Sequence, residues 1–443
     1  MMRRLLFALF RRIHRLNRRL RQWLSDAGLF VAGAMLLAGV FGVDTRQNNA
    51  HQLFALLFGL LLTGWLARRR PPRVTLAREL PRYATIHEPI RYRLRVANPG
   101  SRTLRGLILW EELAETYPDP ASFRASAWTG GRRINPLDAW IGYPRWAWLV
   151  ALSRGAKVDP VTLPFLPEGA FGEVEMSLTP LRRGYIEFSR VMAGLPDPLG
   201  LVLGLRRLEC PDRLLVLPRR HPVPVLPFQA GRRYQPGGVG LALTVGNQDE
   251  FIGLRDYRPG DPLKRIDWKG LARLGRPVVK EYQDEYFVRY GLILDTFGAA
   301  AGAPPFEAAV SVAASLVTAE WGQEALLDLL LVGSRVHRFT AGRGLGQAEQ
   351  LLTVLACATA SPDSPRAFAD LEALLVSQSK ALCGCVCVLL AWDPPRQALV
   401  QSLRSRGVQV LALVVAESIP PNSPPVTVIS PQDPGPALAR LHL

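Results

Sequence analysis

The chain changes its hydrophobic period along its length, and each change predicts a different kind of structure. Near the start, Gly28–Val43 and Leu53–Ala67 are continuous apolar runs separated by the polar stretch 44–52. Runs that are apolar on every side predict two membrane helices joined as a hairpin. At 1.5 Å per residue each strict run covers about 22 to 24 Å, short of the hydrocarbon core of roughly 30 Å. Trp23, Leu24, His51 and Gln52 must therefore help to span it. A re-entrant or monotopic hairpin is the alternative for runs this short.

From residue 74 to 217 the period drops to two. Ile90–Val96 alternates apolar and polar positions, Asn98-Pro99-Gly100 supplies a turn, and Leu107–Trp110 opens the next strand. Val174–Leu178, Tyr185–Met192 and Arg213–Leu217 continue the pattern, which predicts an immunoglobulin-like β-sandwich. Between the strands an insertion, about 118–160, carries Trp128, Trp140, Tyr143, Trp146 and Trp148. These aromatics either rest in a lipid interface or form a small core of the insertion's own. Pro-rich residues 218–236 and Gly237, Gly238 and Gly240 predict a linker over 218–248.

Beyond residue 249 the strands become continuously apolar and alternate with helices. Tyr290–Asp295, Leu326–Val332, Val386–Ala391 and Val408–Val415 read as strands; Phe306–Trp321, Leu345–Ala358 and Pro395–Arg406 read as helices. That alternation predicts a mostly parallel sheet covered on both faces. The expected plan is thus multidomain: a basic arm and membrane hairpin (1–73), the sandwich (74–217), the linker (218–248) and an α/β domain (249–443).

Ahead of the α/β pattern lies the densest motif, residues 250–282. Pro259-Gly260 supplies the fixed and the permissive φ of a type II turn, and Asp261-Pro262 predicts a helix N-cap followed by proline at the first helical position. On such a helix Leu263, Ile266 and Leu271 share one arc with Asp267. A carboxylate on an apolar side needs a guanidinium, and Arg255 or Arg273 is the nearest in sequence. The segment reads either as an internal ion-pair network or as a recognition surface.

These residues resemble the signature of the bacterial domain-of-unknown-function family numbered fifty-eight. The matching positions are Leu254, Arg255, Tyr257, Pro259, Gly260, Asp261, Arg265, Ile266, Asp267, Trp268, Lys269, Ala272, Arg273, Val279, Lys280 and Glu281. Leu271 departs from it, standing where the family carries Ser or Thr. Arg182-Arg183-Gly184-Tyr185 and Asp197-Pro198-Leu199-Gly200-Leu201 also resemble recurrent family features. The resemblance implies a membrane-anchored protein with a von Willebrand factor type A-like domain and a MoxR-type AAA+ ATPase as partner. It also implies a divalent cation at the end of the domain's first strand, held by Asp-x-Ser-x-Ser with a distant Thr and Asp. This chain offers Asp295-Thr296-Phe297-Gly298-Ala299, with Asp393 as the distant carboxylate. Both serines are missing, and a hard cation needs several oxygen ligands, so Asp295 and Asp393 form a poor set.

Charge and the remaining chemistry narrow the function. The net charge is +17. Eight arginines (Arg3, Arg4, Arg11, Arg12, Arg15, Arg18, Arg19, Arg21) precede the first apolar run, and Arg68, Arg69, Arg70 and Arg73 follow the second. Basic clusters at both ends of a hairpin are topology signals, which place those ends and the bulk of the chain in the cytoplasm; with the family resemblance, that implies the bacterial plasma membrane. They leave no basic stripe for nucleic acid. Cys210, Cys357, Cys383, Cys385 and Cys387 form no disulfide framework. The last three alternate, so a strand would put them on one face, either as core thiols or as part of a metal site. Gly342, Gly344 and Gly346 do not complete a dinucleotide loop, because Gln347 stands where its third glycine is needed, and tight turns explain them better. No Walker lysine loop, paired helical histidines or serine elbow is present. The favoured expectation is a non-catalytic adaptor that docks a protein partner through the signature; a metal-assisted hydrolase with Asp295 and Asp393 in its site is the alternative.

Overall fold

The computed structural model describes residues 2–41, 48–67, 71–120, 123, 141–225, 250–283, 288–298, 302–321, 325–332, 336–341, 345–361, 369, 371–373, 375–376, 382–418 and 426–441. The chain divides into two compact units, Met1–Arg219 and Arg220–Leu443. Most of the expected linker, with its glycines, and Trp128, Trp140, Gly342 and Gly344 lie outside the described residues, as do Arg68, Arg69 and Arg70.

In the first unit the basic arm is a helix, α1 (Met2–Trp23), followed by α2 (Asp26–Phe41) and α3 (Asn48–Ala67). Arginine and leucine are good helix formers, and the arm contains no glycine or proline to stop it. Asn48–Gln52, expected as part of the polar linker, belongs to α3, which therefore has 20 residues. At 1.5 Å per residue that is about 30 Å, the thickness that the apolar run alone could not reach. Among the described residues, α3 is the one helix long and apolar enough to cross a membrane; α2 is apolar but has 16 residues. The two pack side by side, with Gly39 against the Phe54 ring, and still expose Phe30, Leu36, Leu37, Leu56 and Phe58.

The sandwich has two sheets. β1 (Thr75–Glu79), β3 (Ile90–Ala97), β7 (Phe171–Pro180) and β5 (Ala156–Val158) form one, in the order β1-β3-β7-β5. β2 (Tyr83–Thr85), β9 (Leu203–Leu217), β8 (Gly184–Pro196), β4 (Leu104–Leu113) and β6 (Val161–Leu166) form the other, in the order β2-β9-β8-β4-β6. The alternation read from sequence points Tyr92, Leu94 and Val96 inward and leaves Arg91, Arg93 and Arg95 outside. Leu94, Met176 and Leu178 of one sheet meet Leu107, Leu109, Ile186 and Leu214 of the other. A buried ion pair crosses that core: Arg78 Nε and Nη2 donate to the two Glu111 oxygens at 3.0 and 2.7 Å, and Tyr92 Oη donates to Glu111 at 2.9 Å. The third guanidinium nitrogen donates to the Cys210 carbonyl, so no polar atom of Arg78 is left without a partner.

The aromatic insertion does form a core, and it borrows half of it. Trp146 and Val150 of α4 (Tyr143–Arg154) are buried against Phe7 and Phe10 of α1. His14 sits 5.5 Å from the Trp146 ring. Deeper along α1, Arg18 donates to Glu115 at 2.6 Å and also to Glu112, while Arg154 reaches Glu115 at 2.9 Å. Burial alone would raise the Glu115 carboxyl, but His14, Arg18 and Arg154 outweigh it and hold the group at about 2.

The foot of the hairpin is fastened to the β8–β9 turn. Asp197 shapes that turn by accepting the Leu201 and Val202 amides at 2.6 and 2.9 Å. Ser25, capping α2, accepts the Gly28 amide at 3.0 Å and donates to the Gly200 carbonyl at 2.5 Å, while its own amide donates to Leu201. Gly28 touches this turn so closely that a Cβ would lie 2.1 Å from the Leu201 oxygen. Gly64 of α3 meets Val202 in the same way, at 2.8 Å.

In the second unit β10 (Glu250–Asp256) and β11 (Val278–Gln283) form an antiparallel pair with α5 (Trp268–Leu274) between them. The rest is one six-stranded sheet: β12 (Val288–Leu294), β13 (Ala325–Val332), β14 (Val336–Ala341), β15 (Gly384–Leu389), β16 (Gln409–Val415) and β17 (Thr427–Ile429), ordered β14-β13-β12-β15-β16-β17. All neighbours are parallel except β13 and β14. Its described helices include α6 (Pro304–Val317), α7 (Leu345–Cys357), α8 (Pro394–Ser405) and α9 (Gly435–Ala439). The edge strands β14 and β17, absent from the sequence reading, are short or mixed with polar residues.

Two outcomes follow. Gly28→Ala pushes a methyl group into a backbone oxygen and is expected to cost about 1 to 3 kcal/mol, whereas Gly33→Ala, with open space around it, is neutral or stabilising; thermal unfolding in detergent compares them. The Glu115 pairing contributes stability above the ordinary value of 4.5 and loses it as pH falls toward 2. The protection of α1 amides, taken relative to the intrinsic exchange rate at each pH, is therefore expected to hold at pH 5 and to fall between pH 4 and 2, by up to about 3 kcal/mol.

Candidate functional site

The signature builds a surface rather than a pocket. Its turn forms as expected: Gly260 takes φ +107° and the Asp261 amide donates to the Arg258 carbonyl at 3.0 Å. The partners of the two aspartates differ from expectation. Arg255 makes a bidentate pair with Asp261, at 2.7 and 2.8 Å, and not with Asp267. The Asp261 carboxylate also accepts the Arg258 amide, and these bonds, the Arg255 one first, hold its carboxyl at about 2. With its oxygens taken, Asp261 caps no helix; a single 3-10 turn, Leu263–Arg265, follows instead.

The helix begins later, at Trp268, with Asp267 in the N-cap position. Asp267 is half-buried, its amide donates to Val278 and its carbonyl accepts the Leu271 amide. Ile266 is buried against Val279, and Gly270 lies so close to Val278 that a Cβ would sit 2.6 Å from it. Leu263, expected on the apolar side, is instead 67% exposed, and Trp268 is 63% exposed. Leu254, Leu274, Lys269 and Arg273 are exposed as well, and Arg273 is not the expected partner of Asp267. Tyr257 donates its amide to Pro277, and Lys280 and Glu281 lie on β11 opposite Leu254 and Gly253. The side chains of Arg265 and Glu281 are outside the described set.

The second candidate lies where the sheet order reverses. β12 and β15 are neighbours whose onward connections run to opposite sides, and ligands of open α/β sheets bind at the carboxyl ends of such a pair. Asp295 stands there, buried, and accepts the Phe297 and Leu390 amides at 3.0 Å each. Its remaining partner is a side chain missed in the sequence: Arg396 Nε donates to Asp295 at 2.6 Å. Arg396 Nη1 pairs with Asp393, and Nη2 donates to the Phe297 carbonyl at 3.3 Å. Asp393 also caps α8 by accepting the Arg396 amide. The structure thus brings Asp295 and Asp393 together, but around a guanidinium. Burial alone would lower the Arg396 value; the hydrogen bond and charge of Asp295, with those of Asp393, raise it instead. The clue in the sequence was Asp393-Pro394-Pro395-Arg396, a helix start that returns an arginine to the strand ends one turn later.

Of the three alternating cysteines, Cys385 and Cys387 share a face of β15, while Cys383 precedes the strand. Cys385 and Cys387 are buried in the core of the second unit with their sulfurs 3.9 Å apart, and the contact with Cys387 together with burial pushes the Cys385 thiol well up. Among the described residues no group of three or more His, Cys, Asp or Glu side chains is placed to hold a metal ion.

Residues 253–436 match the model of a family described as "Protein of unknown function DUF58". The match supports DUF58 membership. The DUF58 stretch starts within β10 and ends within α9, so it takes in both the exposed signature and the Asp295–Arg396–Asp393 cluster. The uncharacterized protein YeaD of Bacillus subtilis (strain 168) is 27% identical over 230 residues, covering 51% of this chain and 56% of that protein. The chain thus spans little more than half the length of this curated relative. Two solved structures of the CARDB domain of a Pyrococcus furiosus protein overlap 33% of the chain. One is a solution structure (12% identity, TM-score 0.18, 96% of that chain covered); the other is a crystal structure in complex with di-metal ions (10%, 0.17, 90%). The sandwich rests on its own strand pairing and core, not on these overlaps.

Removing Arg396 tests the cluster. Arg396→Ala leaves Asp295 buried without its cation and is expected to cost about 3 to 5 kcal/mol, while Arg396→Met with Asp295→Asn recovers most of that loss; chemical denaturation of the three proteins measures it.

Proposed function

We propose that this chain is a membrane-anchored, non-catalytic adaptor of the bacterial plasma membrane, with α2 and α3 as its two-helix anchor and the bulk of the chain in the cytoplasm. Its second unit is read as a von Willebrand factor type A-like domain, which docks a protein partner through the DUF58 signature. The partner that the family resemblance implies is a MoxR-type AAA+ ATPase.

One observation carries the non-catalytic half of this reading. The guanidinium of Arg396 occupies the ground between Asp295 and Asp393 where the hydrolase alternative would require a divalent cation. Each of its three nitrogens donates within the cluster, so a resident positive charge serves the two carboxylates structurally, and a second cation placed there would meet it at close range. The docking half is supported by Trp268. A large aromatic on the first turn of a short, tightly packed helix, in a segment that also exposes Leu263, Leu274, Lys269 and Arg273, has the composition of an interface anchor. The strand order supports the domain reading: numbered within the sheet it is 3-2-1-4-5-6, with strand 3 antiparallel. The two-helix anchor draws support from the all-round apolar exposure of α2 and α3.

Affinity purification from detergent extract, with and without ATP, tests the reading. An ATPase is expected to co-purify, and Trp268→Ala to lower its recovery about tenfold or more, as for a central aromatic anchor. Asp393→Asn is expected to leave recovery unchanged. A divalent-ion-dependent hydrolysis abolished by Asp393→Asn, with recovery indifferent to Trp268→Ala, would reverse the assignment.

A further inference from the structure

The face of α1 turned away from the sandwich is a second, independent surface. At 100° per residue, Leu6, Leu9, Ile13, Leu16, Leu20 and Trp23 fall within an arc of about 100°. Every one of them is exposed, Leu16 at 60%. The face that holds α1 to the protein, made of Phe7, Phe10, His14, Arg18 and Gln22, is centred about 150° away on the same wheel. The helix therefore carries two separate patterns, and packing in the first unit satisfies only one.

What borders the outer stripe is charge of a single sign. Arg12 and Arg19 lie along one edge with Arg15 next to them, and Arg21 lies beyond the other edge; all four are exposed. α1 contains no Asp or Glu. An apolar stripe with Trp at its end and arginines along its margins fits the boundary between acyl chains and phosphate headgroups, where the stripe sinks in and the guanidiniums meet phosphate. The position of α1 in the chain agrees. It ends at Trp23, with two residues between it and Asp26, which opens α2, and those residues are pinned by Leu24 pairing with Val202 and by Ser25 bonding to Leu201.

We infer that α1 is an in-plane membrane-surface helix that docks its outer leucine stripe on an anionic bilayer. The sandwich is thereby held against the membrane along a second line of contact, beside the hairpin. The inference rests on the reading of α2 and α3 as a membrane anchor, but the two fail separately. The occupant is a lipid surface and not a protein groove, because exposed arginines from Arg12 to Arg21 flank the stripe and α1 supplies no acidic residue. Each arginine near an anionic leaflet adds about fivefold to the attraction.

The test uses the full chain reconstituted in vesicles. An environment-sensitive fluorescent amino acid replaces Leu16, or in a separate protein Leu37 of α2, and brominated phospholipid serves as quencher. The vesicles are phosphatidylcholine alone or phosphatidylcholine with about one-third phosphatidylglycerol. The expected result is quenching at position 16 that is several-fold stronger with phosphatidylglycerol, falls with added salt, and loses its lipid dependence in Arg12→Glu/Arg19→Glu. Should that charge reversal unfold α1, Leu16→Gln/Leu20→Gln with the probe at position 9 gives the same readout. Quenching at position 37 without quenching at position 16 overturns the surface helix and leaves the anchor standing. Quenching at 16 that ignores both lipid charge and the arginine changes overturns the anionic preference. Quenching at 16 alone sustains the surface helix and removes the hairpin from the bilayer. No quenching at either position sinks both.

Discussion

A charge taken out of water must be surrounded by its opposite, and this constraint sets the internal order of both units. A buried guanidinium or carboxylate left alone costs several kcal/mol, comparable to a large part of a domain's net stability. The chain meets the constraint with arginine each time. Arg78 joins the two sheets of the sandwich through Glu111, Arg18 and Arg154 converge on Glu115 to fix α1, and Arg396 closes the strand ends of the second unit against Asp295 and Asp393. A forked, permanently charged group is suited to this use, because it can bond two oxygens and a carbonyl at once and never gives up its proton. The large positive charge of the sequence is thus not all surface; part of it is framework.

That economy shapes what each unit offers outward. In the second unit the point where an open α/β sheet ordinarily receives a ligand has been turned into a cross-brace, and the exposed apolar residues have moved to the signature. Arg255 and Asp261 make that signature rigid by locking a turn, not by presenting charge, so Trp268 sits on a preformed support. A rigid support with a protruding aromatic favours association, since little conformational freedom remains to be lost on contact. In the first unit the same logic runs through α1, whose inner charges are consumed by Glu112 and Glu115 while its outer ones stay free of any acidic neighbour on the helix.

Much of the architecture was legible from local pattern, and the exceptions share a cause. The alternation of Ile90–Val96 and the apolar runs at 290–295 and 386–391 gave strands because packing there depends on the period of a single element. The Pro259-Gly260 turn was legible for the same reason, φ being a property of the residue. Pairings between distant positions were not. Arg255 could choose between Asp261 and Asp267, and nothing within a few residues decided it. Arg396 meets Asp295 across 101 positions of sequence, and Trp146 finds Phe10 across 136, so neither the cross-brace nor the shared aromatic core could be read from one segment. The arginines of α1 were read as a topology signal alone, because eight like charges mask the helical periodicity of the leucines between them.

The fastening of the hairpin at Gly28 and Gly64 has a mechanical meaning. Two helices joined to a domain by a slack loop would swivel freely, and the domain would feel nothing of their tilt. Here the α2 backbone rests against the Leu201 oxygen and α3 against Val202, with Asp197 stiffening the turn from below. A lean of the helices therefore presses on β8 and β9, the longest strands of the sandwich, like a mast stepped directly into its keel.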